Sequence, residues 1–168
     1  MTEDAQDAEA ASRAVASADG EARWITVRNA GPAFHTEIAV RDHRLAADEP
    51  TAVGGADTGP TPYDFLLFAI ASCTAITLRM YANRKGWPVG DILVDVRRTR
   101  SHEVDAEWSD RAKVGLYTVE ERIDFRGPVS VEQRARLMTI ADRCPVKRTL
   151  ENGVRVVRPG RDGGGIGT

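Results

Sequence analysis

The residues of this chain best suited to covalent chemistry are its two cysteines, Cys73 in IASCTAI and Cys144 in ADRCPVK. A lone buried cysteine usually acts as a small hydrophobe. A pair says more, because both fall on the inward faces of predicted helices. Cys144 also stands next to the N-terminus of a short helix, where the dipole favours thiolate and Lys147 and Arg148 add positive charge. The functional reading is a nucleophile and a resolving thiol. In that chemistry a thiolate attacks the O–O bond of a peroxide and becomes a sulfenic acid. The second thiol then captures it as a disulfide, which protects it from overoxidation. Two cysteines cannot build a disulfide scaffold or a four-ligand zinc site. His35, His43 and His102 lie at no metal-ligand spacing, so no metal or other cofactor is expected.

The element that must carry Cys73 is the stretch from Thr61 to Trp87, the one long segment apolar on nearly every side. It reads as a buried central helix. Thr61 serves as N-cap, Pro62 occupies N1 and Asp64 places a carboxylate at N3. Arg79, Arg84 and Lys85 crowd the negative end, Gly86 is a natural C-terminal cap and Pro88 prevents continuation. Leu66, Ala69, Ile70, Cys73, Ile76, Thr77 and Met80 share one face, while Phe65, Phe68, Ala71, Ala75 and Leu78 cover the others. A membrane span is disfavoured, because Asp64 and Arg79 leave only about 14 uncharged residues between them, short of the roughly 20 a bilayer requires. One thin sheet cannot cover a helix that is apolar all round, so a second chain is expected to cover the rest.

The remaining elements follow from periodicity and turn residues. Alternation from Arg23 to Val40 around Asn29-Ala30-Gly31-Pro32 predicts a β-hairpin, which His43 to Ala47 extends as a third strand. Asp48 to Pro60 is a turn-rich connection that reads as a surface loop. It is no phosphate loop, since no Gly-Lys-Ser/Thr follows its glycines. Strands over Ile92–Arg100 and Tyr117–Arg126 form a second hairpin, with His102 to Val114 as an exposed, charged connection. Glu121 falls on the apolar side of that hairpin, as a buried partner for an arginine or through a strand-edge or register effect. Ser130-Val131-Glu132-Gln133 is a capping box opening a second helix that ends at Cys144-Pro145. A short helix from Val146 to Asn152 follows, and Val154, Val156 and Val157 predict a last strand. Residues 1–20 and 160–168 read as flexible tails around one domain over 21–159.

With 23 Lys and Arg against 25 Asp and Glu, the formal charge of −2 offers no broad positive field, so neither nucleic acid nor an anionic membrane surface is expected as a partner. The N-terminus has no basic region followed by an apolar run, so the expected location is the cytoplasm, with both thiols reduced at rest.

Gly54 to Pro62 leading into LLFAIASCTAITLRMYANRKGW, then the G-x-x-S-x-E-Q-R run from Gly127, then ADRCPVKRTLENG, resemble the OsmC/Ohr family, over about residues 23 to 158 with the elements in order. The resemblance implies an α+β fold, antiparallel sheets wrapped around long central helices in an intertwined homodimer. It implies thiol-dependent reduction of organic hydroperoxides at the expense of a dithiol reductant, with Cys73 attacking and Cys144 resolving. It also implies an arginine from the first hairpin beside the thiolate, for which Arg28 is the nearest candidate and Arg41 and Arg44 the alternatives. Family peroxidases carry Pro-Glu at the start of the cysteine helix, where the glutamate orients that arginine. This chain has Pro62-Tyr63, with the carboxylate moved to Asp64, about 100° further round the helix, where it is free to serve as a cap. The closer likeness is to a branch with GPTPYDFLL and RKGWP. Two readings stand beside the peroxidase. One is a binding module holding an apolar small molecule at the dimer interface, with Cys73 as pocket wall. The other is a redox-responsive structural protein.

Overall fold

The computed structural model describes residues 25–29, 33–100 and 117–158. Both expected tails and the whole of the charged connection from His102 to Val114 lie outside them. Three short strands open the described chain, β1 (Thr26–Asn29), β2 (Thr36–Val40) and β3 (His43–Ala47), paired antiparallel in that order. Asn29 closes the first hairpin by donating its side-chain amide to the carbonyls of Ala33 and His35 at 3.1 and 2.9 Å. The second turns at Arg41, whose φ of 51° lies in the left-handed region that tight hairpin turns require.

The loop from Asp48 to Pro60 is more ordered than its turn-rich composition predicts. The Asp48 side chain is buried, and its carboxylate accepts from the N–H groups of Glu49, Ala56 and Thr58 and from the Thr58 hydroxyl, at 2.8 to 3.2 Å. These bonds fix the loop around one anion, and the Thr58 hydroxyl leads them in holding the Asp48 pKa down at about 2.

Helix α1 runs from Pro62 to Lys85 with the expected ends. Thr61 and Asp64 form a reciprocal capping box, and Gly86 closes the helix in the left-handed conformation at φ 66°. The helix is long and apolar enough to cross a membrane by length and composition, which the count of uncharged residues did not predict. Within this chain its C-terminal half packs as a core helix. Leu78, Tyr81 and Ala82 are buried with Val89, Phe125, Leu137, Ile140 and Ala141. The remaining core residues come from the second hairpin, β4 (Ile92–Arg100) with β5 (Tyr117–Phe125), and from helix α2 (Val131–Ala141). Val89 stands on the connection to β4. There Gly90 and Gly127 approach so closely that a Cβ on Gly90 would lie 2.4 Å from the Gly127 nitrogen. Tyr81 meets Trp87 edge-on at 5.6 Å and accepts from Arg136 Nε at 3.1 Å, which satisfies its buried hydroxyl.

Two boundaries differ from expectation. Helix α2 stops at Ala141 rather than at Cys144, because a residue before proline is driven out of the helical region. Cys144 accordingly takes ψ 123°. The N–H groups of Arg143 and Cys144 bond back to Ile140 and Ala141 in the tighter 3₁₀ pattern, and α3 then runs from Pro145 to Asn152. The strand expected at Val154–Val157 is not formed. That segment has no strand to pair with among the described residues, and its valines are exposed.

Leu137→Ala is expected to destabilise the chain by about 2–5 kcal/mol in denaturant unfolding, since Leu137 is fully buried at the contact of α1 and α2. For Asp48 the folded pKa lies below the unfolded value of about 3.9. Its contribution is therefore complete above that value and is lost as the pH falls toward about 2. Hydrogen exchange at Ala56 and Thr58, corrected for its intrinsic pH dependence, should show constant protection down to about pH 4 and a decline below it. Asp48→Asn should expose both amides at neutral pH, because the new amide turns a donor toward donors.

Candidate active site: a buried cysteine pair

Helix geometry sets the site. Ile70, Cys73, Thr74 and Thr77 recur at three- and four-residue spacing and are all buried, so Cys73 lies on the face of α1 directed into the protein. Cys144 arrives from the other side as the N-cap of α3, with no exposure at all. The two thiols lie close enough to act on each other, although the chain between them contains β4, β5 and α2. Both are free thiols.

The electrostatics at Cys73 are a balance of opposed influences. Burial pushes its thiol up, because a desolvated thiolate loses its hydration. The Val146 N–H, one of the unpaired amides of the first turn of α3, lies near the sulfur and lowers it. Cys144 raises it again, since two adjoining thiols resist a second negative charge. Thr77, whose buried hydroxyl makes no full hydrogen bond, lowers it. The net direction is upward, and no cation is among the main influences.

The arginines expected beside the thiol lie on the first sheet. Arg28 pairs with Glu37 at 3.2 Å across the β1–β2 ladder, with both side chains more than half exposed. Arg41 forms the β2–β3 turn, and Arg44 donates to the carbonyls of Arg41 and His43 at 3.3 and 3.1 Å. Within this chain, therefore, the cysteines are brought together while the three arginines are engaged elsewhere. Asp64, which stands near the family glutamate position, is occupied as a cap: it accepts from the Thr61 N–H at 2.9 Å and the Thr61 hydroxyl at 2.8 Å. Tyr63 instead stacks under the Arg98 guanidinium, 4.0 Å from the ring centre.

Sequence reasoning missed the partner of Glu121. Lys147, on the first turns of α3, bonds its carboxylate at 2.8 Å, and each side chain is less than a fifth exposed. Helix α3 buries no side chain of its own, so this pair ties the helix carrying the Cys144 cap to the second sheet. The signals were the carboxylate on an apolar strand face and a lysine three residues after Cys144. Only the strand pairing puts them in one place.

A sequence profile of the OsmC-like protein family matches residues 54–157, well over half of the chain. No curated protein sequence matches it significantly. Among solved structures, an OsmC-like protein from Mycoplasma pneumoniae superposes with a TM-score of 0.61 at 20% identity, covering 78% of this chain and 88% of that one. An organic hydroperoxide resistance protein OsmC from Legionella pneumophila gives 0.54 at 16%, covering 76% and 89%. An OsmC-like protein of unknown function from Vibrio cholerae gives 0.56 at 9%, covering 76% and 92%. At these identities the superpositions speak for the fold, and the profile match, running through both cysteine motifs, speaks for descent: the chain belongs to the OsmC-like family.

Proposed function

We propose that this protein is a thiol-dependent peroxidase that reduces organic hydroperoxides, with Cys73 as the attacking thiol and Cys144 as the resolving one. The observation that carries the reading is the juxtaposition of two fully or nearly buried thiols delivered by separate helices. The Legionella relative, an organic hydroperoxide resistance protein by name, supports the same chemistry. In the first step the Cys73 thiolate attacks the terminal oxygen of R–O–O–H. The O–O bond breaks, Cys73 becomes a sulfenic acid, and the alkoxide leaves with a proton as R–OH. In the second step the Cys144 sulfur attacks that of Cys73, and the hydroxyl leaves with the Cys144 proton as water. An external dithiol in the cytoplasm then reduces the disulfide, restoring both thiols.

Burial opposes the first step, so a cation is needed at Cys73. Arg28 keeps that role in the proposal. Its exposed pair with Glu37 is worth no more than about 1 kcal/mol, so exchanging that carboxylate for a thiolate is cheap. We place the exchange in a homodimer, where a second chain covers the outer face of α1. One observation favours a second reading, a module that holds an apolar small molecule with Cys73 as a neutral wall: the thiol is pushed up, away from the ionised form.

The two are separated by variants. Cys73→Ser is expected to abolish consumption of cumene hydroperoxide, whereas Cys144→Ser should complete one turnover and then accumulate sulfenic or sulfinic acid at Cys73. Consumption by Cys73→Ser equal to that of wild type would leave the binding module in front. Alkylation of Cys73 by iodoacetamide in isolated reduced protein should rise with an inflection above the ordinary thiol value of about 8.5, and Thr77→Val should move it higher still.

A further inference from the structure

Cys144 has no exposure and Cys73 is 6% exposed. Thiol–disulfide exchange needs direct approach of a thiolate to a sulfur, so an external dithiol reaches Cys144 after something has moved. The helices beside it are unequally anchored. Helices α1 and α2 supply the core residues Leu78, Tyr81, Leu137 and Ile140, whereas α3 buries no side chain. With eight residues α3 is also shorter than the roughly 12–15 at which a helix persists alone, so once released it melts. Beyond Gly153 its chain is held in no strand, and Val154, Val156 and Val157 are exposed. On the other side the N–H groups of Arg143 and Cys144 bond back to α2, so the chain can hinge there with α2 intact.

The tie across that hinge is Lys147 Nζ on Glu121 Oε2 at 2.8 Å. It carries its own counterweight, because Glu121 Oε1 is buried without a hydrogen-bond partner. Glu121 borders Lys147, Leu150 and Glu151 of α3, so movement of the helix admits water to that oxygen and relieves its missing bond. Closed and open arrangements are thereby brought near in free energy.

We propose that α3 is a lid over the thiol pair, hinged at Arg143 and Cys144 and latched by Lys147 on Glu121, which opens by local unfolding and admits the reductant. The reductant's use of the opening rests on the peroxidase reading, while the opening itself is a property of the fold. In the open state one thiolate of the dithiol bonds to the Cys144 sulfur of the disulfide. The S–S bond breaks, and its electron pair leaves on Cys73, which takes a proton. The second thiol of the reductant then displaces Cys144, which takes the other proton, and the dithiol departs as its own disulfide.

Hydrogen exchange of the full reduced chain tests the lid. Amides of α3 are expected to exchange at least about tenfold faster than those of Leu137 and Ile140 in α2, after correction for intrinsic rates. In Cys73→Ser, alkylation of Cys144 by iodoacetamide should be slower than in the urea-unfolded chain by the factor that protects α3, within about threefold. Lys147→Met strands the Glu121 charge and should speed both α3 exchange and that alkylation about tenfold or more, and adding Glu121→Leu should restore much of the protection. Leu137→Ala weakens a contact that persists in the open state, so it should speed α2 exchange and leave that of α3 unchanged. If Lys147→Met fails to fold, the wild-type and Leu137→Ala measurements still decide. Protection of α3 equal to that of α2, or acceleration of α3 together with α2 in Leu137→Ala, would overturn the proposal. An opening α3 in a chain that consumes no cumene hydroperoxide would keep the lid and end the peroxidase. Consumption by a chain whose α3 is protected like α2 would end the lid alone.

Discussion

The arrangement depends on one local constraint, the proline after Cys144. Pro145 forbids helical conformation at Cys144, so α2 must stop short and the chain must turn there. The turn makes Cys144 the cap of a new helix, sets the Val146 N–H near Cys73, and keeps the two thiols close. Without it the second helix would carry Cys144 past the site on a continuous cylinder. Because α3 buries no side chain itself, this geometry rests on the Cys144 contact and on the half-buried Lys147–Glu121 pair. Losing either partner of such a pair leaves the other charge poorly solvated, so removing one alone is costly even where the pair's net contribution is small.

The central helix shows the complementary feature. Its inner face is covered by the second hairpin and α2, but Phe68 and Ile76 remain 52% and 51% exposed. Exposed apolar side chains of this kind on a structural helix mark an interaction surface. It is the face on which we place the second chain, and the hairpin carrying Arg28 would approach Cys73 in that assembly.

Much of this was legible in the sequence because it depends on local rules. The limits of α1 follow from Thr61, Asp64 and Gly86, and the second hairpin follows from clean alternation ending at Phe125. The cysteine pair was legible as two motifs. What was not legible depends on contacts between distant segments. Asp48 looked like one more polar loop residue, and only the fold of the loop shows that four donors converge on it. Glu121 looked like a register effect, and its lysine is found only when β5 lies beside α3. The valines after Gly153 have strand character, but a strand also needs a free edge beside it, which alternation cannot supply.

The central claim is that the two thiols act as one redox unit. Its most direct measurement is the stoichiometry of a single oxidation: reduced wild-type protein, one equivalent of cumene hydroperoxide, no reductant, followed by intact-mass and peptide analysis. The account predicts loss of two hydrogen atoms per chain, a Cys73–Cys144 disulfide within that chain, and one equivalent of alcohol released. Oxygen added at Cys73 with Cys144 still free, or no reaction at either thiol, would contradict it.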